Sequence, residues 1–326
     1  MTIIEESTQS QSVEPILMFP HIAGFWRRFA AWLIDYVILG VFGQIIGWPL
    51  SGLWFQIGPY GRFVGLFCIL LYFCLMNSKA GHGQTIGKRL LKIAVRNEDN
   101  TPISLGKSFL RITIIAIPLI LYGWALPVLQ GPVMQVLGNL IVGGLGLSIL
   151  YTMVFNRGSR QGLHDLICKT YVVSLNESPI EAFPKSNRIH WIISGILIGL
   201  AVIGSVSSII LRPLIFSAFH FEDLEGINQV LQNDERFFST GVSQGVRGST
   251  QGPTTHYINA EVWVRGVPTN EERTQLVNDI SQVILENVEN VYEFDNLTVT
   301  ITSKFDLDLA SGNLFYSYNI PTGSLH

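Results

Sequence analysis

The chain has 326 residues, of which 48% are hydrophobic and only 14% charged, with a formal net charge of −3. That balance excludes an intrinsically disordered chain and places the protein among integral membrane proteins.

Residues 1–20 are polar and acidic (Glu5, Glu6, Gln9, Gln11, Glu14) and lack a basic n-region. A disordered tail is expected there, with no cleavable signal peptide. Five apolar stretches follow, near 25–47, 60–77, 109–129, 133–155 and 189–212. Each is long enough to cross a bilayer, which takes ~17–25 residues. Basic residues gather before the first (Arg27, Arg28), between the second and third (Lys79, Lys88, Arg89, Lys92, Arg96, Lys107, Arg111) and between the fourth and fifth (Arg157, Arg160, Lys169, Lys185, Arg188). The other connectors, 48–59 and 130–132, hold no Lys or Arg. The positive-inside rule therefore makes the N-terminus and both basic loops cytoplasmic, and five spans put the chain from 213 onward outside. Anionic lipid is the expected contact of the basic loops, and topology alone explains them without nucleic acid.

The basic loops are patterned. Residues 83–96 are amphipathic and end in an alternating stretch, 97–100 form a turn, and Thr170-Tyr171-Val172-Val173 reads as a strand. The two extended pieces are placed to pair beneath the membrane. Among the spans, Pro118 is expected to kink the third. The fourth is glycine-rich (Gly138, Gly143, Gly144, Gly146), and the fifth carries Gly195-x-x-x-Gly199. That spacing is read first as packing within the bundle, with a homodimer contact as the alternative. Most tryptophans (Trp26, Trp48, Trp54, Trp124, Trp191) suit interfacial anchoring, with Trp32 turned toward a helix.

Residues 213–326 read as a small α/β domain. Ile258, Ala260, Val262 and Val264 alternate on one strand face, and 236–247 is its expected hairpin partner. Thr269 and Glu272 form a capping box for a helix whose apolar face is Leu276, Val277, Ile280, Val283, Ile284 and Val288. Leu297, Val299 and Ile301 mark another strand, and Leu314-Phe315-Tyr316 begins one more. The fold class is thus an all-α membrane bundle of about five transmembrane helices with a small C-terminal α/β extracytoplasmic domain. Its parts are 1–20, a module over 21–175, a linker over 176–188, the fifth span at 189–212 and the domain at 213–326. Cys68, Cys74 and Cys168 match no zinc or redox spacing and are expected to be buried or neutral thiols. No nucleophile–base pair, metal cluster or phosphate loop stands out, so neither an enzyme, a cofactor nor a metal is expected.

One group demands explanation. Asp35 lies inside the first span, where an ionised carboxylate costs at least about 2.5–3.5 kcal/mol. Arg28 is close to two helical turns before it on the same face, about 10 Å away along the axis. That separation favours other partners: Lys88, Arg89 or polar groups of neighbouring spans for Asp35, and phosphate or Asp165 for Arg28. Gly87 is expected to allow close backbone approach.

Arg28-Phe29-Ala30-Ala31-Trp32-Leu33-Ile34-Asp35, then Gly83-Gln84-Thr85-Ile86-Gly87-Lys88-Arg89-Leu90-Leu91, then Gln161-Gly162-Leu163-His164-Asp165-Leu166, resemble the RDD family of bacterial membrane proteins. The resemblance covers residues 20–175 and maps the family's Arg and two Asp onto Arg28, Asp35 and Asp165. It implies a multi-pass protein of the bacterial cytoplasmic membrane. Some family members are reported as sodium or lithium/proton antiporters, and most have no assigned activity. Two functions follow as expectations. In the first, Arg28, Asp35 and Asp165 are a structural network, and the chain is a non-enzymatic anchor whose exported domain binds an envelope protein. In the second, Asp35 is the carrier carboxylate of a proton-coupled cation antiporter and His164 relays or senses protons.

Overall fold

Long apolar runs interrupted only near their ends build the helical half of the molecule. A computed structural model describes residues 20–121, 132–178, 180, 182–218, 222–249, 252–288 and 293–324. The expected disordered tail, Trp124 and the end of the third span lie outside the described residues. Helix α1 (Phe25–Gly47) has 23 residues, about 34 Å of rise and enough for a bilayer core. Helix α2 (Ser51–Ile57) leads through a 3₁₀ turn at Gly58–Tyr60 into α3 (Gly61–Asn77). Helices α4 (Ile86–Leu90) and α5 (Leu105–Leu121) follow. The fourth stretch is α6 (Pro132–Asn139), a π-helical turn (Leu140–Leu145) and α7 (Gly146–Phe155). After the short α8 (Leu163–Cys168), α9 (Ile189–Ala218) is the longest rod.

Among the described residues, four segments are long and apolar enough to cross a membrane: 25–47, 51–77, 136–155 and 189–211. The third expected span is described over the 17 residues of α5. It starts earlier than its hydropathy indicates because the Ser104 hydroxyl accepts the Lys107 N–H and opens the helix ahead of the apolar run.

Contact of the π-helical turn and α7 with α9 runs through residues other than the expected glycine pair. A Cβ on Gly144 would lie 3.2 Å from Ile198 Cα and 3.3 Å from Ala201 Cβ. Ser194, Ile198, Ala201 and Ser205 recur at 4-3-4 spacing and share one face of α9, and the Ser148 hydroxyl donates to the Ser194 carbonyl. Gly195 and Gly199 have nothing within 4 Å of an added Cβ. Their expected packing within the bundle is therefore corrected.

The two basic loops do pair. Strands β1 (Ile93–Asn97) and β2 (Thr170–Ser174) are antiparallel, from Ile93 opposite Ser174 to Asn97 opposite Thr170. Their apolar side chains bury against Ala23, Ala31 and Ile103, so this small sheet caps the start of α1.

The C-terminal domain lies at the other end of α1. Helix α10 (Glu222–Gln232) precedes strands β3 (Phe237–Ser249) and β4 (Gly252–Val264), and α11 (Asn270–Asn287) connects them to β5 (Asn296–Asp306) and β6 (Ser311–Pro321). The sheet order is β3-β4-β5-β6, antiparallel except for the β4–β5 pair that α11 crosses. Thr269 and Glu272 form the expected capping box, and Leu276, Val277, Ile280 and Ile284 enter the core with Ile258, Val262, Leu297 and Ile301. Helix α10 was not anticipated; its signal was Leu224, Ile227 and Leu231 at 3-4 spacing, all buried.

The β5–β6 hairpin wedges its tip between α1 and α3. A Cβ on Gly43 would lie 2.4 Å from the Leu309 carbonyl oxygen, and one on Gly65 only 1.6 Å from that of Leu307. Gly47 and Gly61 complete the cradle against Ala310 and Leu307. Arg62 fixes the wedge through Asp306, with Nη2 at 2.8 Å and Nε at 3.1 Å from Oδ2. Trp54 is consequently buried with Phe55, Phe305, Leu307 and Ala310, a correction to its expected interfacial place.

Candidate functional site

Two carboxylates organise the end of the bundle that carries β1 and β2. Asp35 is fully buried and accepts three hydrogen bonds: from the Tyr72 hydroxyl at 2.8 Å, the Thr85 hydroxyl at 2.5 Å and the Gly87 N–H at 2.8 Å. All three partners are donors, which satisfies an ionised carboxylate. Thr85 also caps α4, accepting the Lys88 N–H at 3.3 Å. Gly87 is glycine for a steric reason, since a Cβ there would lie 2.1 Å from the Ala31 carbonyl oxygen. The first basic loop is thereby pinned to α1.

The cation expected beside Asp35 goes elsewhere. Lys88 Nζ donates to the Asn77 Oδ1, and burial pushes its ammonium well below the ordinary lysine range, with Arg111 adding to that push. Arg89 is exposed. The partners of Asp35 come instead from a neighbouring span and the loop backbone, because α4 starts with its N–H groups facing α1.

Asp165 holds the second loop. Its Oδ1 accepts from Arg111 Nε at 2.8 Å and the Thr170 hydroxyl at 2.9 Å, and its Oδ2 accepts from Arg28 Nη2 at 2.5 Å. Arg28 also donates to the Arg160 carbonyl. Burial opposes the Asp165 charge, but Arg111, His164 and Arg28 more than offset it and hold the carboxyl well below its usual range. His164 is 2% exposed, with Nε2 3.3 Å from the Asp165 Oδ2. Burial lowers the imidazole to about 4, outweighing the pull of Asp165. The expected titration of His164 near neutral pH is therefore corrected: it is neutral at physiological pH.

Arg28 thus meets Asp165, as its distance from Asp35 implied, and the three charges divide between two knots. Sequence reasoning missed Tyr72, Arg111 and Thr170 as partners. Thr170 had a weak signal, a hydroxyl opening an otherwise apolar strand; Tyr72 and Arg111 had none beyond being polar groups in apolar helices. Cys74 and Cys168 are buried free thiols and Cys68 is exposed. Among the described residues no group of three or more His, Cys, Asp or Glu is arranged to hold a metal ion.

Comparison with known proteins covers nearly all of the segment that holds these knots. A sequence model of the RDD family matches residues 22–169. The uncharacterized protein YckC of Bacillus subtilis (strain 168) is 30% identical over 150 residues, which cover 46% of this chain and 83% of YckC. The chain belongs to the RDD family. The uncharacterized protein YxaI of the same organism is 26% identical over 172 residues, covering 46% of this chain and 96% of YxaI. No solved structure matches. The RDD match ends at the α8–β2 junction, so α9 and the sheet domain are additions to the family module. Both knots fall inside the match except for Thr170, one residue beyond it, and the glycine cradle shows how the module receives its addition.

Proposed function

We propose that this RDD protein is a non-enzymatic membrane anchor that presents its C-terminal domain to a protein of the bacterial envelope. The observation that carries this reading is the complete internal use of the family charges. Asp35 is tied by Tyr72, Thr85 and Gly87, and Asp165 by Arg28, Arg111 and Thr170. A carrier carboxylate must exchange its partners during each cycle, and releasing Asp35 would detach α4 from α1. The network therefore suits scaffolding better than cation–proton exchange.

In this reading the module sits in the cytoplasmic membrane with its N-terminus and basic loops inside, against anionic lipid. The sheet domain is outside, seated on the module by the β5–β6 wedge. Support comes from the charge asymmetry of the loops and from the placement of the two ends: β1 and β2 pack at the start of α1, the hairpin tip at its far end. The sheet face opposite α10 and α11 carries Asn259, Glu261, Thr298, Thr300 and Asn319, a polar surface suited to a folded protein partner.

The test is site-specific photo-crosslinking from Thr300 in cells, followed by reconstitution with the purified captured protein. An envelope protein that rebinds in pure form, and fails to rebind after removal of 213–326, supports the reading. Absence of any crosslink together with sodium-driven proton flux would replace it with the antiporter.

A further inference from the structure

Strand β6 closes one side of the sheet and pairs only with β5, in unbroken register from Ser311 opposite Asp306 to Pro321 opposite Asn296. Alternate residues of an antiparallel strand turn their main-chain N–H and C=O groups to opposite sides, so half of this main chain faces away from β5. Among the described residues, no backbone group of 311–320 bonds to main chain outside the sheet. Residues 311–320 also hold no charged side chain and no proline, the usual guards of an exposed edge. The opposite edge has such guards. Strand β3 breaks register between Phe237 and Ser239 and again between Arg247 and Ser249. It carries Arg247 and is tied to α10 by the Thr240 hydroxyl, which donates to the Asn228 Oδ1 at 2.9 Å.

The side chains of β6 are left half-covered in the same way. On the helix side of the sheet Ile258, Val262, Leu297 and Ile301 are fully buried. The matching row on β6 is Tyr316, Tyr318 and Ile320, which pack against that core yet stay partly exposed, with Leu314 38% exposed beside them. A further strand would engage the outward main chain and cover this row together. It needs free amides, apolar residues at every second position over Leu314, Tyr316 and Tyr318, and polar residues between them. A second copy of this chain does not supply it. Strand β6 starts at the glycine cradle, next to Ala310, and ends beside Asn296 at the far end of the sheet, so it points away from the membrane module. Antiparallel self-pairing has a two-fold axis perpendicular to the strand, which would carry the second module to the opposite end of the dimer, out of a shared bilayer.

We propose that β6 is a docking edge, to which the envelope partner adds an extended segment of alternating apolar and polar residues as a further strand of the sheet. This inference rests on the envelope-partner reading and specifies how the partner is held. Main-chain hydrogen bonds along 311–320 supply affinity, and the partly covered row of Leu314, Tyr316 and Tyr318 selects the alternation.

The experiment uses the full chain in lipid nanodiscs. The probe is a fluorescent, photoreactive peptide with the sequence of residues 297–304, which has the required alternation and already pairs with β6 from its other side. Two derivatives carry N-methyl groups on alternate amides, one in each phase. An added strand bonds to β6 through one edge only. Expected are saturable binding, adducts within 311–320, and affinity weakened at least about tenfold by N-methylation in one phase but not in the other. The peptide should also displace the envelope protein captured from Thr300. Absent or non-saturable binding, equal effects of the two phases, adducts elsewhere, or a dimer of the full chain that the peptide dissociates would overturn the proposal. A captured envelope protein that the bound peptide fails to displace would overturn strand addition and leave the envelope reading standing. Phase-dependent binding at 311–320 with no envelope protein captured would support the docking edge and remove the envelope reading.

Discussion

The Gly87 N–H donates to the Asp35 carboxylate at 2.8 Å, and it does so across an approach that leaves no room for a Cβ against Ala31. One backbone bond therefore links the aspartate of the first span to the glycine of the first loop, and the two residues act as a unit. Hydrogen bonds to a charged group contribute about 1.5–3 kcal/mol each, and a buried charge that loses its partners becomes a liability.

Replacing the carboxylate should reveal that unit. In Asp35→Asn one oxygen becomes an NH₂ group facing donors, and the expected cost is about 2–4 kcal/mol of stability. Tyr72→Phe, which removes the donor at 2.8 Å and the acceptor of the Ile86 N–H, should cost about 1.5–3 kcal/mol. Thermal unfolding in detergent micelles measures both. Wild-type stability in Asp35→Asn would show that the knot is not structural.

Gly87→Ala should be destabilising by about 1–3 kcal/mol, because its methyl group would meet backbone rather than a flexible side chain. Gly106 is the matched control. It lies near the start of α5 with nothing within 4 Å of an added Cβ, so Gly106→Ala should be neutral or stabilising by up to about 1 kcal/mol. Equal effects at both glycines would argue against close approach as the reason for Gly87.

The wedge predicts a different phenotype. Gly65→Leu removes the space taken by the Leu307 carbonyl and should release the hairpin while leaving the Asp35 and Asp165 knots intact. A disulfide between Gly47→Cys and Ala310→Cys reports docking, since an added Cβ at Gly47 lies 3.2 Å from that of Ala310 and meets no backbone. It should form readily with Gly65 present and slow at least tenfold with Gly65→Leu. An unchanged rate would mean that the cradle does not seat the domain.

Burial of His164 gives stability a pH dependence of known sign. Its folded value, about 4, lies below the ordinary 6.5, so between these limits the unfolded chain binds the extra proton and folding loses stability as pH falls. The full difference corresponds to about 3 kcal/mol. Asp308 opposes this trend, because burial raises its carboxyl to about 6 despite Arg62. The clean measurement is therefore the difference in unfolding between wild type and His164→Asn from pH 7.5 to 4.5. That difference should shrink steadily toward acid; a constant difference would contradict a buried neutral imidazole.

What could be read from the sequence was whatever local spacing determines. The Thr269–Glu272 capping box, the β1–β2 pairing and the Arg28–Asp165 contact were legible because short-range chemistry or a charge without a nearby partner announced them. For Asp35 the sequence left a loop cation and polar groups of neighbouring spans open; Tyr72 of α3 is such a group, while the Gly87 N–H was not legible because sequence displays side-chain charge and conceals backbone donors. Gly43, Gly47, Gly61 and Gly65 looked like ordinary glycines of membrane helices. Their common purpose depends on a hairpin about 250 residues away along the chain, which no local pattern encodes. Gly195 and Gly199 failed in the opposite way: the spacing was visible, but the face that packs is set by Ile198 and Ala201.

As proposed, Asp35 is a structural anchor and not an ion carrier. Sodium-driven proton flux in proteoliposomes, measured on the intact folded chain beside folded Asp35→Asn, tests it most directly. No flux above protein-free vesicles is expected in either sample. Flux in the wild type that vanishes in the folded variant would contradict it and make Asp35 the carrier.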